Sequence, residues 1–324
     1  MTTSNSLVIA VGQSWNELGL EEKVLAPTGA RLIDGRKLAA DDPLWKEATG
    51  ILLGTAYKLD DARLRAIAGG RLKGVIRYGI GYDNVDARVA TELGIAVGII
   101  RTYCIEEVSE HAVTSALALA RGIVHWDRNI RAGQWRAGQR PPMRRLSKLA
   151  FGIVGYGLIG RMAALKAKTF FGRVLAYDPV AAPTAEDKTL GIEPVADLDS
   201  LLKEIDIVSV HLPLIPATRN LIGTERMKLM KKSSYIINVS RGGIVDEEAL
   251  LEAVRAGTIA GAALDTFTKE PLPADHPLIG EPRILLSPHI AWLSDEAEVD
   301  LRRLASEEMV LILKGERPTT PVTS

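Results

Sequence analysis

Short apolar runs rich in Val, Ile and Leu recur along this chain. Between them lie segments whose apolar residues return every three or four positions. "SLVIAV" (Ser6–Val11), "ARLI" (Ala30–Ile33), "GILLG" (Gly50–Gly54), "GVIRYG" (Gly74–Gly79) and "GIAVGII" (Gly94–Ile100) predict strands. "LDDARLRAIAGG" and "NVDARVATELG" carry the helical period between or after them. This alternation predicts parallel βαβ units. The stretch from Cys104 to Gly133 predicts one long helix. It is apolar on more than one face and so packs on several neighbours. Next comes "QWRAGQRPPMRRLSK" (Gln134–Lys148), rich in Arg and broken by two prolines, which predicts a surface connection.

A second alternating series starts at "LAFGIVG" and continues through "RVLAYD", "IDIVSVH", "SYIINVS", "IAGAALD" and "RILLSP". A last helix, "SDEAEVDLRRLASEEMVLILKG" (Ser294–Gly315), closes the pattern. The fold class is therefore α/β, with two parallel-sheet domains joined by the long helix and again near residue 290.

Composition narrows the function. At 324 residues the chain suits about two domains with sizeable cores. Its 40 basic and 40 acidic side chains cancel, which removes the gross electrostatic case for a nucleic-acid or anionic-membrane partner. One cysteine excludes an intramolecular disulfide and every multi-cysteine metal site. The opening "MTTSNSLVIAVGQSW" has no basic segment and only a short apolar run, so it predicts a first strand rather than a signal peptide. No apolar run reaches the length of a membrane span. The expectation is a cytoplasmic protein.

"FGIVGYGLIGR" places Gly155, Gly157 and Gly160 in the G-x-G-x-x-G spacing, after a strand and at the opening of a helix. The first glycine permits a tight turn, the second lets a pyrophosphate approach the backbone, and the third allows close helix–strand packing. N–H groups at the helix start, around Leu158 and Ile159, are donors for the anion. A second strand ends at Asp178, eighteen residues beyond Gly160. A carboxylate there accepts from adenosine ribose hydroxyls and repels a 2′-phosphate, and "DPVAAP" brings no arginine, so NAD is favoured over NADP.

Three polar residues sit where late strands end: Arg241 after "YIINVS", Glu270 in "LDTFTKEPLP" and His289 after "RILLSP". In open α/β sheets ligands bind outside the carboxyl ends of the strands. Three strand-end residues of complementary chemistry could therefore face one crevice.

Six segments, "RYGIGYDNVD", "GIVGYGLIGR", "HLPLIPATRNLIG", "NVSRGGIVDEEAL", "ALDTFTKEPLP" and "SPHIAW", run over nearly the whole chain. Together they resemble the D-isomer-specific 2-hydroxyacid dehydrogenase family. The resemblance implies NAD-dependent interconversion of a 2-keto acid and a D-2-hydroxy acid by an Arg, Glu, His set that Arg241, Glu270 and His289 match. A guanidinium fork can hold the keto acid's carboxylate and carbonyl together. His289 would be the acid/base, giving its proton to the carbonyl oxygen as hydride arrives at carbon, and the Glu270 carboxylate on the other ring nitrogen would stabilise the charged form. It implies a Rossmann-like NAD-binding domain (101–289) inserted into a flavodoxin-like substrate domain (1–100 and 290–324). It further implies that backbone N–H groups of Ile80 and Gly81 bind the substrate carboxylate. Asp265 would lie near the nicotinamide, with Pro213, Val239 and Ser240 lining the cofactor cleft. The inserted domain would form a homodimer through "HWDRNIRAGQW" (His125–Trp135).

Trp292 narrows the resemblance to a subgroup that includes the C-terminal-binding-protein corepressors and their bacterial relatives, where the tryptophan reaches the substrate pocket. A ring there favours an apolar or thioether side chain on the substrate. Ile99, Arg101 and Lys148 depart from the family's usual residues, and Tyr78 is large beside the substrate turn. Arg101, Arg144 and Arg145 read as solvated charges, or as attraction for a second acidic group on the substrate. Cys104, at the start of the long helix, reads as structural. The rival activities are D-3-phosphoglycerate dehydrogenase and glyoxylate/hydroxypyruvate reductase. The chain's end soon after its last helix predicts no regulatory C-terminal domain. A rival of another class is an NADH-sensing binding module.

Overall fold

The computed structural model describes residues 6–135 and 140–322. Residues 136–139 of the expected surface connection, and the first five residues, lie outside the described residues. The chain divides into two compact units, Met1–Cys104 with Ser294–Ser324, and Ile105–Leu293. The divisions fall a few residues after 100 and 289.

The first unit holds strands β1 (Leu7–Val11), β2 (Arg31–Asp34), β3 (Gly50–Leu53), β4 (Gly74–Arg77) and β5 (Ala96–Ile99). All pair in parallel, in the order β2-β1-β3-β4-β5. This is the flavodoxin-like order. β1, β3 and β4 are buried along their length because both sheet faces are covered, which is why they read as unbroken apolar runs. Ile9, Ile51, Leu53, Val75, Leu64 and Val89 form the core around Trp45. The Trp45 indole N–H donates to Ala39 O at 2.9 Å.

The last helix, Asp295–Lys314, belongs to this unit and packs on the Gly19–Leu25 helix and on β3 and β4. Its Ser294 caps the first turn by accepting from Ala297 N, and Gly315 ends it in the left-handed conformation. Beyond it the chain returns to β5, with Gly98 bridging Pro321 in antiparallel register and Val322 N donating to Val97 O. Nothing in the sequence pattern announced that covered edge.

The second unit holds β6 (Ala150–Val154), β7 (Arg173–Tyr177), β8 (Ile192–Pro194), β9 (Ile207–Val210), β10 (Tyr235–Asn238), β11 (Gly261–Leu264) and β12 (Ile284–Leu286). The order is β12-β11-β10-β9-β6-β7-β8, all parallel. It has the dinucleotide-binding arrangement, whose switch point lies between β6 and β9. β8, only three residues long and ending in a proline, escaped the sequence pattern.

The expected single helix from Cys104 to Gly133 is two. One spans Ile105–Ala120 and the next Ile123–Arg131, broken at Gly122, whose φ of 60° is left-handed. The first buries Val108, Ser109, Ala112, Val113, Ser115 and Ala116 against the Leu158–Lys168 helix and strands β10 and β11. Small residues at those positions allow the close approach. Cys104, just before it, is buried.

Arg144 does not stand as a free surface charge. Its Nη1 pairs with Asp206 Oδ1 at 2.8 Å and its Nη2 donates to Lys148 O at 2.8 Å. Asp206 is buried and also accepts from Ala150 N, so the arginine anchors the approach to β6. Arg101 and Arg145 are exposed. Among the described residues no helix is long and apolar enough to cross a membrane. Among them, too, no group of three His, Cys, Asp or Glu side chains could hold a metal ion.

Candidate active site

The site in the second unit is built at the carboxyl edge of its sheet, where parallel strands present all their following loops on one side. The loop after β6 carries the three glycines, and each meets a different steric demand. Gly155 has φ of 99°, and a Cβ there would strike His211 O at 2.5 Å. A Cβ on Gly160 would lie 1.9 Å from Gly155 O, so the helix can press on the strand only without one. Around Gly157 a Cβ meets nothing within 4 Å. That open ground faces the start of the Leu158–Lys168 helix, which has no side-chain cap. Its first N–H groups therefore suit a pyrophosphate, and the residues present fit a dinucleotide.

Asp178 ends β7 but spends its carboxylate on its own backbone. Oδ2 accepts from Tyr156 N at 2.6 Å, and Oδ1 accepts from Val180 N at 2.7 Å and Ala181 N at 3.0 Å. The side chain thereby ties the glycine loop to the end of β7, a buttressing role that the sequence did not suggest.

Across the switch point, the loop after β9 is held by Thr218. Its hydroxyl donates to Pro213 O at 2.6 Å and accepts from Ile215 N. Before it, His211 Nε2 lies 2.9 Å from Ser209 Oγ, and burial pushes this histidine down to about 3, so it is neutral at physiological pH. The loop after β10 is folded by Asn238, whose amide accepts from Ser240 N and donates to Arg241 O. Ser240 Oγ donates to Val210 O at 2.5 Å, and Val239 is buried. Arg241 Nη1 donates to Ser240 O at 2.8 Å. Gly242 is required because a Cβ there would lie 1.9 Å from Phe267 C.

Glu270 and His289 meet, with Oε2 and Nδ1 2.7 Å apart. Glu270 Oε1 accepts from Phe267 N, which fixes the carboxylate's other end. Burial raises the Glu270 carboxyl, but hydrogen bonds from His289 and Phe267 N and the nearby charges of His289 and Arg241 outweigh it. The carboxyl is held below its usual range. With Nδ1 engaged, Nε2 is the ring nitrogen left to meet a ligand. His289 itself has φ of 55°, a left-handed backbone uncommon for any residue with a Cβ.

Asp265 supplies what holds that conformation. Its carbonyl accepts from His289 N at 2.8 Å. Its carboxylate accepts from Ser287 Oγ at 2.5 Å, Ile290 N at 3.0 Å and Ala291 N at 2.9 Å. The side chain is 1% exposed. These bonds to its own chain occupy both carboxylate oxygens. Trp292, three residues beyond His289, is half-buried.

The remaining expected residues lie in the first unit. Gly79, with φ of 122°, begins the turn through Ile80 and Gly81 that follows β4. Among the described residues, neither Ile80 N nor Gly81 N donates to a backbone carbonyl. Tyr78 is not presented as a ligand group. Its ring is buried edge-on to Trp15 at 4.8 Å and its hydroxyl donates to Glu21. Burial and the neighbouring Glu21 hold that phenol well above its usual range.

Residues 113–291, more than half of the chain, match the family model for the NAD-binding domain of D-isomer-specific 2-hydroxyacid dehydrogenases. The chain belongs to that family. The dehydrogenase is 38% identical over 251 residues to glyoxylate reductase of Korarchaeum cryptofilum, covering 76% of this chain and 75% of that one. It is 36% identical over 246 residues to D-3-phosphoglycerate dehydrogenase of Methanocaldococcus jannaschii, spanning 76% of this chain but 46% of the relative. Among solved structures, the TT0316 protein of Thermus thermophilus superposes with a TM-score of 0.84 at 31% identity, covering 98% of this chain and 100% of that one. The D-lactate dehydrogenase of Aquifex aeolicus, complexed with NAD and lactic acid, gives 0.84 at 27% identity over 95% and 96% of the two chains. The dehydrogenase is accordingly an NAD-dependent oxidoreductase of the 2-hydroxyacid class.

Proposed function

We propose that this dehydrogenase reduces a small, unphosphorylated 2-keto acid of the glyoxylate and hydroxypyruvate type, with His289 as the proton donor. The Glu270–His289 pair at the carboxyl edge of the sheet, with Arg241 close enough to act on the same carboxylate, carries the reading.

NADH, when bound, supplies the hydride to the keto carbon. Gly157, Leu158 and Ile159 would hold its pyrophosphate on a loop shaped by Gly155 and Gly160, and Asp178, which buttresses that loop, would accept from the ribose hydroxyls. Pro213, Val239 and Ser240 line the cleft. Arg241 holds the substrate carboxylate and carbonyl in one plane. As the carbonyl π pair moves onto oxygen, His289 Nε2 releases its proton there. Glu270, anionic and hydrogen-bonded to Nδ1, stabilises the imidazolium that this step consumes. In oxidation the neutral ring takes the hydroxyl proton back.

Two observations favour an unphosphorylated substrate. Arg144 is committed to Asp206, and relatives named glyoxylate reductase match at 37 to 40% identity against 36 to 38% for those named D-3-phosphoglycerate dehydrogenase. A homodimer is supported by the Ile123–Arg131 helix, which buries none of its residues, and by Ile123, Ile130 and Trp135 (80% exposed) beside it.

The experiment is NADH consumption against glyoxylate, hydroxypyruvate, 3-phosphohydroxypyruvate, phenylpyruvate and 4-methylthio-2-oxobutyrate. Preference for either of the first two supports the assignment. Preference for the phosphorylated acid replaces it with D-3-phosphoglycerate dehydrogenase, and preference for the apolar or thioether acid replaces it with a Trp292-defined pocket. NADH binding with no turnover points to the sensing module.

A further inference from the structure

Of the five histidines, all in the second unit, the mechanism uses His289 alone, and one of the other four is tied to its surroundings. His111 lies on the inner helix Ile105–Ala120, and its Nε2 is 3.1 Å from Ser287 Oγ, across 176 residues of chain. Ser287 Oγ is in turn 2.5 Å from Asp265 Oδ1.

Directions follow from the chemistry of the three groups. A carboxylate only accepts, so the single hydroxyl hydrogen of Ser287 points at Asp265. Ser287 can then meet His111 only as an acceptor, and His111 must carry a hydrogen on Nε2. The chain of donors runs from His111 Nε2–H to Ser287 Oγ–H to Asp265 Oδ1. The same Oδ1 accepts from Ile290 N, Oδ2 from Ala291 N, and the Asp265 carbonyl from His289 N. The left-handed backbone of His289 is thus enclosed by bonds to one buried residue, and His111 fixes the hydroxyl that orients it.

We propose that His111 is a positioning residue for His289, acting through Ser287 and Asp265. Donation into the Ser287 hydroxyl strengthens its bond to Asp265. It also removes the rotational freedom by which that hydroxyl would turn away from the carboxylate. The seat of the acid/base ring is set by a helix far from it in sequence. The proposal rests on His289 being the proton donor.

The test uses the full chain and three variants. His111→Gln places an amide N–H where Nε2 stood, and His111→Asn places one where Nδ1 stood, out of reach of Ser287. Ser287→Ala removes the relay. His111→Asn and Ser287→Ala are expected to lower kcat by about tenfold, as loss of an outer support does, with KM for NADH within about twofold. His111→Gln is expected to stay within about threefold of the parent. In the double variant with Asn and Ala, the losses should coincide rather than multiply. Equal kcat for His111→Asn and the parent overturns the proposal, as does His111→Gln as slow as His111→Asn.

A readout independent of turnover is the 15N spectrum of the histidine rings. The expected state has His111 protonated at Nε2, and an Nδ1–H tautomer overturns the relay. A parent chain that reduces no keto acid while showing the Nε2–H state overturns the acid/base reading of His289 and leaves the hydrogen-bond relay intact. The two failures are thereby distinct.

Discussion

Oε2 of Glu270 lies 2.7 Å from Nδ1 of His289, across 19 residues of chain. Each partner is fixed from behind, Glu270 by Phe267 N and His289 by the Asp265 carbonyl. The pair is therefore preorganised, which costs nothing at the moment of reaction. His289→Ala removes the proton donor and should lower kcat by about 10²- to 10⁴-fold. NADH affinity, measured by fluorescence titration, should stay within a factor of a few. Undiminished turnover would end the mechanism.

Glu270→Gln tests the charge. The amide keeps an acceptor but loses the anion that favours imidazolium, so the pH limb on which reduction fails should move toward acid. The linkage has a definite sign. A carboxyl held below its usual value stabilises the fold above its unfolded pKa, and that stability is lost as pH falls through the lowered one. The gap in melting temperature between parent and variant should thus be present at neutral pH and close in acid, below about 4. A gap that widened in acid would contradict the assignment.

The glycines separate binding from folding. Gly157→Ala adds a methyl to open space, so melting temperature should hold while NADH affinity falls by about tenfold or more. Gly160→Ala drives a methyl into Gly155 O and should cost about 1–3 kcal/mol of stability. Chemical denaturation distinguishes them, and the reverse pattern would refute the division of roles.

Asp178→Ala should do two things. Loss of the ribose partner relaxes the preference for NAD over NADP, and loss of three backbone acceptor bonds loosens the glycine loop. The second effect should raise KM for both cofactors by about tenfold, a charge-assisted bond being worth about 1.5–3 kcal/mol. Unchanged selectivity would remove the ribose assignment.

In the first unit, Glu21 is fully buried and takes a two-pronged bond from Arg302, with Nε–Oε1 at 2.9 Å and Nη2–Oε2 at 2.8 Å. Trp15 Nε1 donates to the same carboxylate at 3.0 Å. Glu21→Leu leaves the guanidinium only the Glu17 carbonyl and the longer contact to Glu298, and should destabilise the fold by about 3 kcal/mol. Adding Arg302→Met should restore part of that loss, as judged by urea denaturation.

What the sequence determined by itself was whatever is local or periodic. Parallel strands buried on both faces appear as apolar runs. A dinucleotide loop needs glycine at fixed spacing, and strand-end polar residues such as Arg241, Glu270 and His289 fall at one edge of any parallel sheet. Gly122 shows the limit even there, since one left-handed residue divides a continuous helical pattern into two helices. Only the tertiary structure decided where side chains spend their hydrogen bonds. Asp265 gives its carboxylate to Ser287 and to the Ile290 and Ala291 N–H groups, and Asp178 ties down the glycine loop through Tyr156 N. Tyr78 is drawn to Glu21, Arg144 to Asp206, and His111 to Ser287. These choices join residues up to 176 positions apart. They arise because a buried donor or acceptor must find a partner somewhere in the folded chain, a demand that leaves no spacing or period behind in the sequence.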